Sequence, residues 1–153
     1  MKEISMSEKI ERAKQLHEQG YGCAQAVLTT FAGDYGLEES LALKLATGFG
    51  SGMGRMCEVC GALTGAFMVI GLKHGKEKTD GTRYGTETET TYRLVADLAR
   101  KFQDKNGSIY CRELIGYNLM DPTERAKVVE LGLFKTTCRK CILDAVELLE
   151  ETL

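Results

Sequence analysis

The residues best equipped for chemistry are six cysteines in a chain of 153 residues, and four of them form two C-x-x-C pairs. These are Cys57-Glu58-Val59-Cys60 and Cys138-Arg139-Lys140-Cys141. On a helix this spacing brings both sulfurs within one turn, where they can share a metal or close a local disulfide. Both pairs also fall where the sequence pattern starts a helix, and partial positive charge there favours thiolate over thiol. Arg55 precedes the first pair and Arg139 and Lys140 lie inside the second, while Glu58 opposes their effect. Cys23 and Cys111 complete the set.

Several specific readings fail on spacing. Gly61 and Ile142 follow the two pairs where a c-type haem site needs histidine. Residues 61–137 separate the pairs, far more than the roughly 15–20 of a compact zinc ribbon, so a shared four-cysteine site must be assembled by the fold. The Gly48–Gly54 run (GFGSGMG) does not contain G-x-G-x-x-G, and no strand precedes it. Gly71-Leu72-Lys73-His74-Gly75-Lys76 is one residue short of a phosphate loop and lacks its Ser/Thr. A thioredoxin-like site would need a βαβ unit, and no alternating strand pattern is present. His17, beside an amphipathic stripe, and His74, in a glycine-rich stretch, read as solvated or core-edge residues rather than ligands. The six methionines read as core filler. Tyr84, Tyr92, Tyr110 and Tyr117 form no base-stacking set. Any single cysteine can also be a small buried hydrophobe; Cys138 shares a helical stripe with Ile142, Ala145 and Leu149.

Composition narrows the context. Lys+Arg 20 against Asp+Glu 22 gives a net charge of −2, so no positive field draws nucleic acid or an anionic membrane. The longest apolar run, Gly61 to Leu72, is shorter than the roughly 18 residues a membrane span requires, and it reads as a buried helix. The N-terminal MKEISMSEKIERAKQ has no apolar signal core, which predicts a cytoplasmic protein. There thiols are kept reduced, so the cysteines read as redox thiols, metal ligands or buried residues rather than structural disulfides. The length predicts one domain over residues 1–153.

The elements that must position these thiols are helical throughout. Ser7 is the expected cap of a first helix carrying Ile10, Ala13 and Leu16, which stops near Gly20-Tyr21-Gly22. A second runs from Cys23 through Phe31, and a third from Glu38 to Thr47. Gly48–Gly54 reads as a loop or bent connector. The central apolar helix spans about 58–74, with Gly61 and Gly65 allowing another helix close approach. After an exposed stretch from Lys73 to Gly85, Thr90 to Gln103 puts Leu94, Val95, Leu98, Ala99 and Phe102 on one face. Asn106-Gly107 ends it, a short turn starts at Cys111, Asp121-Pro122-Thr123 opens another helix, and Cys138–Leu153 closes the chain. The fold class is all-α: a single compact helical domain of about five to seven helices around a buried central one.

Tyr21-Gly22-Cys23-Ala24-Gln25-Ala26-Val27, the glycine loop leading to Glu58-Val59-Cys60-Gly61-Ala62-Leu63-Thr64-Gly65-Ala66, Cys111-Arg112-Glu113-Leu114 and Cys138 resemble the C_GCAxxG_C_C family. The resemblance covers roughly residues 8 to 150. It implies a thiol-based redox role and matches the four family cysteines to Cys23, Cys60, Cys111 and Cys138; Cys57 and Cys141 stand as additions to that set. Two function classes follow. In the first, a thiol–disulfide oxidoreductase, Cys60 is the nucleophile and Cys23, Cys111 or Cys138 resolves the mixed disulfide formed with a redox partner protein or small thiol. In the second, the same four cysteines hold zinc or an iron–sulfur cluster, with Cys57 and Cys141 as further ligands. A helical interaction protein with inert thiols is the plain alternative. The short chain is compatible with a homodimer.

Overall fold

A segment that is apolar all round has no face to show water and takes the centre of the fold. The computed structural model, which describes residues 5–153, has that arrangement. The first four residues of the expected 1–153 domain lie outside the described residues. The helices are α1 (Met6–Glu18), α2 (Cys23–Ala32), α3 (Glu39–Ala46), α4 (Gly61–His74), α5 (Thr86–Asn106), α6 (Cys111–Ile115), α7 (Pro122–Glu130) and α8 (Thr137–Thr152). Central α4 packs against α2, α5 and α8, while α1 closes over α2 and α8. Leu63, Ala66, Val69 and Ile70 of α4 are fully buried against Phe31, Phe102, Ile142 and Leu149. No described residues form a strand pair beyond one isolated antiparallel bridge between Val59 and Tyr110.

Among the described residues, eight helices exceed the expected five to seven. The five-residue α6 accounts for part of this, since it is too short to show a hydrophobic period. The first helix begins one turn-fraction earlier than expected: the Glu8 N–H donates to Ser5 Oγ at 3.3 Å, so Ser5 and not Ser7 is the cap. Helix α5 likewise extends beyond residues 90–103, with Glu87 and Glu89 favouring its first turn and Gly107 (φ 84) closing it in the left-handed conformation. On α8 the stripe is shifted from the expected one. Cys141, Ile142, Ala145 and Leu149 enter the core, and Cys138 sits at the rim.

One buried cation was not visible in the pattern. Lys9 of α1 is 1 % exposed, ion-paired with Asp34, 4.0 Å from Glu150, and stacked 4.5 Å over the Phe31 ring. A buried charge with these partners ties α1 to the end of α2 and to α8. Among the described residues no helix is long and apolar enough to cross a membrane.

Candidate functional site

The starts of α2, α4, α6 and α8 converge on one cavity of about 290 Å³. Its wall includes Cys23, Cys60, Cys111, Cys138 and Cys141, together with Gly50, Ser51 and Gly52, His17 and the apolar side chains of Leu114, Ile115, Leu119 and Phe134. All four cysteines of the expected set therefore meet, and Cys141 joins them.

Small residues create this convergence. A Cβ on Gly65 would lie 2.7 Å from the Ala24 carbonyl oxygen, and one on Gly61 would lie 3.2 Å from Ala24 N and 3.3 Å from Cys23 Cβ. Glycine at both positions lets α4 rest on the backbone of α2, which sets Cys60 beside Cys23. The close approach expected from Gly61 and Gly65 is thus what the structure contains. The start of α2 is held separately: Gly22 N–H donates to Gln25 Oε1 at 2.8 Å, and Gln25 Nε2 donates to the Leu43 carbonyl at 3.0 Å.

A second junction brings α6 to the same place. Cys60 N–H donates to the Ile109 carbonyl at 2.8 Å and Cys111 N–H to the Glu58 carbonyl at 2.7 Å. Arg112 adds a bond from Nε to the Cys57 carbonyl at 3.0 Å and an ion pair with Glu58. The glycine loop does more than connect. Ser51, Gly52, Met53, Gly54 and Arg55 all have positive φ, between 57° and 69°, and Cys57 follows at 59°. A left-handed turn of this kind costs non-glycine residues roughly 1–2 kcal/mol each. It is held by bonds from Cys57 N–H to the Ser51 carbonyl (3.3 Å) and Glu58 N–H to the Gly52 carbonyl (3.0 Å). A Cβ on Gly52 would come within 2.6 Å of Glu58 N, so only glycine fits there.

The thiols pair across elements. The titration of Cys60 is tied most strongly to Cys141 and that of Cys23 to Cys138, while Cys57 acts on Cys111. Within each C-x-x-C the two cysteines differ in their setting. The reason for the first pair is that left-handed Cys57 lies outside any helix. For the second, Cys141 faces the core while Cys138 faces the cavity rim. Cys57 is absent from the cavity wall and packs behind it with Cys111, Ile115 and Leu119.

The electrostatics differ sharply among these groups. Cys60 is the N-cap of α4, and its thiol is pulled below the ordinary range by the Cys141 hydrogen bond, against burial, with help from the Ala62 and Leu63 N–H groups. Cys141 is pushed far up because it is the proton-bearing partner of Cys60, and burial adds to this. Cys23 is pushed up by its bond to Cys138 and by burial. Burial first, then the neighbouring Cys57 and Cys60, push Cys111 up. His17 was read as solvated or core-edge. It lines the cavity, accepts from Arg139 Nε at 3.3 Å through Nδ1, and is shifted down by burial and by that cation. His74 is not among the lining residues. Sequence reasoning missed His17 as a site component and held Cys141 only as an additional ligand. The only available sign for His17 was its place in the last turn before Gly20-Tyr21-Gly22.

Among the described residues no three His, Cys, Asp or Glu side chains are grouped to hold a metal ion. A family model described as "Putative redox-active protein (C_GCAxxG_C_C)" matches residues 21–152. No curated protein and no solved structure matches the chain.

Proposed function

The chain belongs to the C_GCAxxG_C_C family, and from that premise we propose that it performs thiol–disulfide exchange with Cys60 as nucleophile and Cys141 as resolving thiol. The observation that carries this reading is the Cys60 setting: a helix N-cap cysteine in a cavity wall shared with Cys141, its thiol pulled down while the other shifted cysteines there are pushed up. A thiolate is the attacking species, and low thiol pKa raises its fraction at neutral pH.

The step balances simply. Cys60 Sγ⁻ attacks one sulfur of a small disulfide, forming a mixed disulfide and releasing one thiolate. Cys141 then loses its proton to that leaving thiolate or to water and attacks Cys60 Sγ. The second substrate thiolate departs as the Cys60–Cys141 bond forms. The substrate disulfide gains two electrons from the protein and one proton from Cys141, leaving as one thiol and one thiolate that takes its proton from water. Sequence reasoning placed the resolving role on Cys23, Cys111 or Cys138; the shared cavity wall and the pull of Cys141 on Cys60 favour Cys141.

Oxidation of the reduced protein with hydroxyethyl disulfide, acid quenching and mass-spectrometric mapping test this. The expected first adduct is on Cys60, followed by a Cys60–Cys141 disulfide. A first adduct on half-buried Cys23 or Cys138, with Cys60 unmodified, would overturn the assignment.

A further inference from the structure

Cys57 lies behind the wall of the central cavity, and it has its own approach from outside. A second surface cleft of about 310 Å³ is lined by Cys57, Met56, Arg112, Tyr117, Asn118 and Glu124. This volume is at the lower end of the range for small-molecule sites. Cys57 Sγ lies 3.5 Å from the Arg55 carbonyl oxygen and accepts from Leu119 N–H at 3.4 Å. Its partner Cys111 faces the central cavity. The 57–59 and 110–112 backbones are clamped together by the Val59–Tyr110 bridge and the Arg112 bonds, which fixes the two sulfurs relative to each other. The Cys57–Cys111 pair therefore spans the wall between two separate openings.

We propose that Cys57 and Cys111 form a second dithiol that carries disulfide oxidation from the central cavity to the outer cleft, where a low-molecular-weight thiol of tripeptide size reduces it. This inference rests on the exchange chemistry assigned above to Cys60 and Cys141. Cys111 attacks the Cys60–Cys141 disulfide, Cys57 attacks the resulting mixed disulfide at Cys111, and Cys60 and Cys141 return as thiols. One disulfide breaks, one forms, and two protons pass from the second pair to the first. Two equivalents of external thiol then reduce Cys57–Cys111 and leave as their own disulfide. The order of events has a physical basis. Thiolate charge at Cys60 is one of the causes that keep Cys111 protonated, and oxidising Cys60 removes it. The left-handed loop gives the relay its geometry: Cys57, at φ 59, lines the outer cleft while Cys60, three residues on, lines the central cavity.

The test uses the full chain, oxidised with one equivalent of hydroxyethyl disulfide and sampled over time, with glutathione added in a second arm. Cleavage after Lys44, Glu58, Lys105, Arg112, Arg139 and Lys140 separates all six cysteines for disulfide mapping. The expected result is a Cys60–Cys141 disulfide that decays as Cys57–Cys111 appears. Formation of Cys57–Cys111 should slow at least about tenfold in Cys60→Ala, which keeps an apolar residue in the core. In Cys57→Ser the Cys60–Cys141 disulfide should still form but should resist glutathione by a similar factor. Neither disulfide forming would sink the exchange reading itself. A stable Cys60–Cys141 bond without Cys57–Cys111 would leave that reading standing and overturn the relay. Equal rates of Cys57–Cys111 formation in wild type and Cys60→Ala, or undiminished glutathione reduction in Cys57→Ser, would overturn it too.

Discussion

Cys60 and Cys111 are both less than a tenth exposed, both open a helix, and both face the same cavity, yet one thiol is pulled down and the other pushed up. Position within the helix start explains the difference. Cys60 is the N-cap of α4, where the Ala62 and Leu63 N–H groups favour its thiolate, the Leu63 N–H also donating to the Cys60 carbonyl at 3.0 Å. Cys111 is the first residue inside α6, a helix of only five residues, and receives no such bonds. Neighbours widen the gap: Cys60 has a donor thiol, whereas Cys111 sits among sulfurs whose negative charge it must avoid. A cysteine at a helix start is therefore not activated by that fact alone. It also needs neighbours that favour the thiolate over the thiol.

The largest expected effect separates the two cysteines directly. Cys60→Ser should remove the fastest iodoacetamide-reactive thiol at neutral pH, lowering the initial alkylation rate by about 100-fold, while Cys111→Ser should leave it within about twofold. Quantitative peptide mapping reads both. Gly65→Ala should break the setting of Cys60 by forcing a methyl group against the Ala24 carbonyl. A loss of roughly 1–3 kcal/mol is expected for such overpacking. Thermal unfolding checks this against Gly48→Ala, where the added carbon meets open space and the change should be within about 0.5 kcal/mol. Cys141→Ala should sharpen the comparison by deleting the leading cause of the Cys60 shift. Alkylation of Cys60 should slow several-fold at neutral pH and recover at higher pH.

The smallest effect concerns stability against pH. Cys23, Cys111 and Cys141 have folded-state pKa values above the unfolded range, so they stabilise the fold fully below about 8.5 and lose that contribution as pH rises from there. Cys60, shifted the other way, offsets part of this. Denaturant midpoints should fall between about pH 8 and pH 10, and the fall should shrink in Cys111→Ala.

How much of this was legible beforehand depends on the kind of signal. The central helix was readable because every face of GALTGAFMVIGL is apolar, and Gly61 and Gly65 announced a close contact without naming Ala24 as its other side. The position of Cys60 at a helix start was readable from the glycine loop before it. Its pairing with Cys141 was not, because contact between α4 and α8 depends on tertiary packing. The C-x-x-C spacing pointed the wrong way for Cys57, whose left-handed backbone carries no mark in the residue type. Lys9 gave no warning of burial either, since its partners Asp34 and Glu150 lie far apart in sequence.

The central claim is that Cys60 is a stabilised thiolate in the native protein. Ultraviolet titration of thiolate absorbance in the reduced, folded chain tests it most directly. The account predicts a one-thiol step below the ordinary thiol range of about 8.5 that disappears in Cys60→Ser and persists in Cys111→Ser. No step below that range, or one that survives in Cys60→Ser, would contradict it.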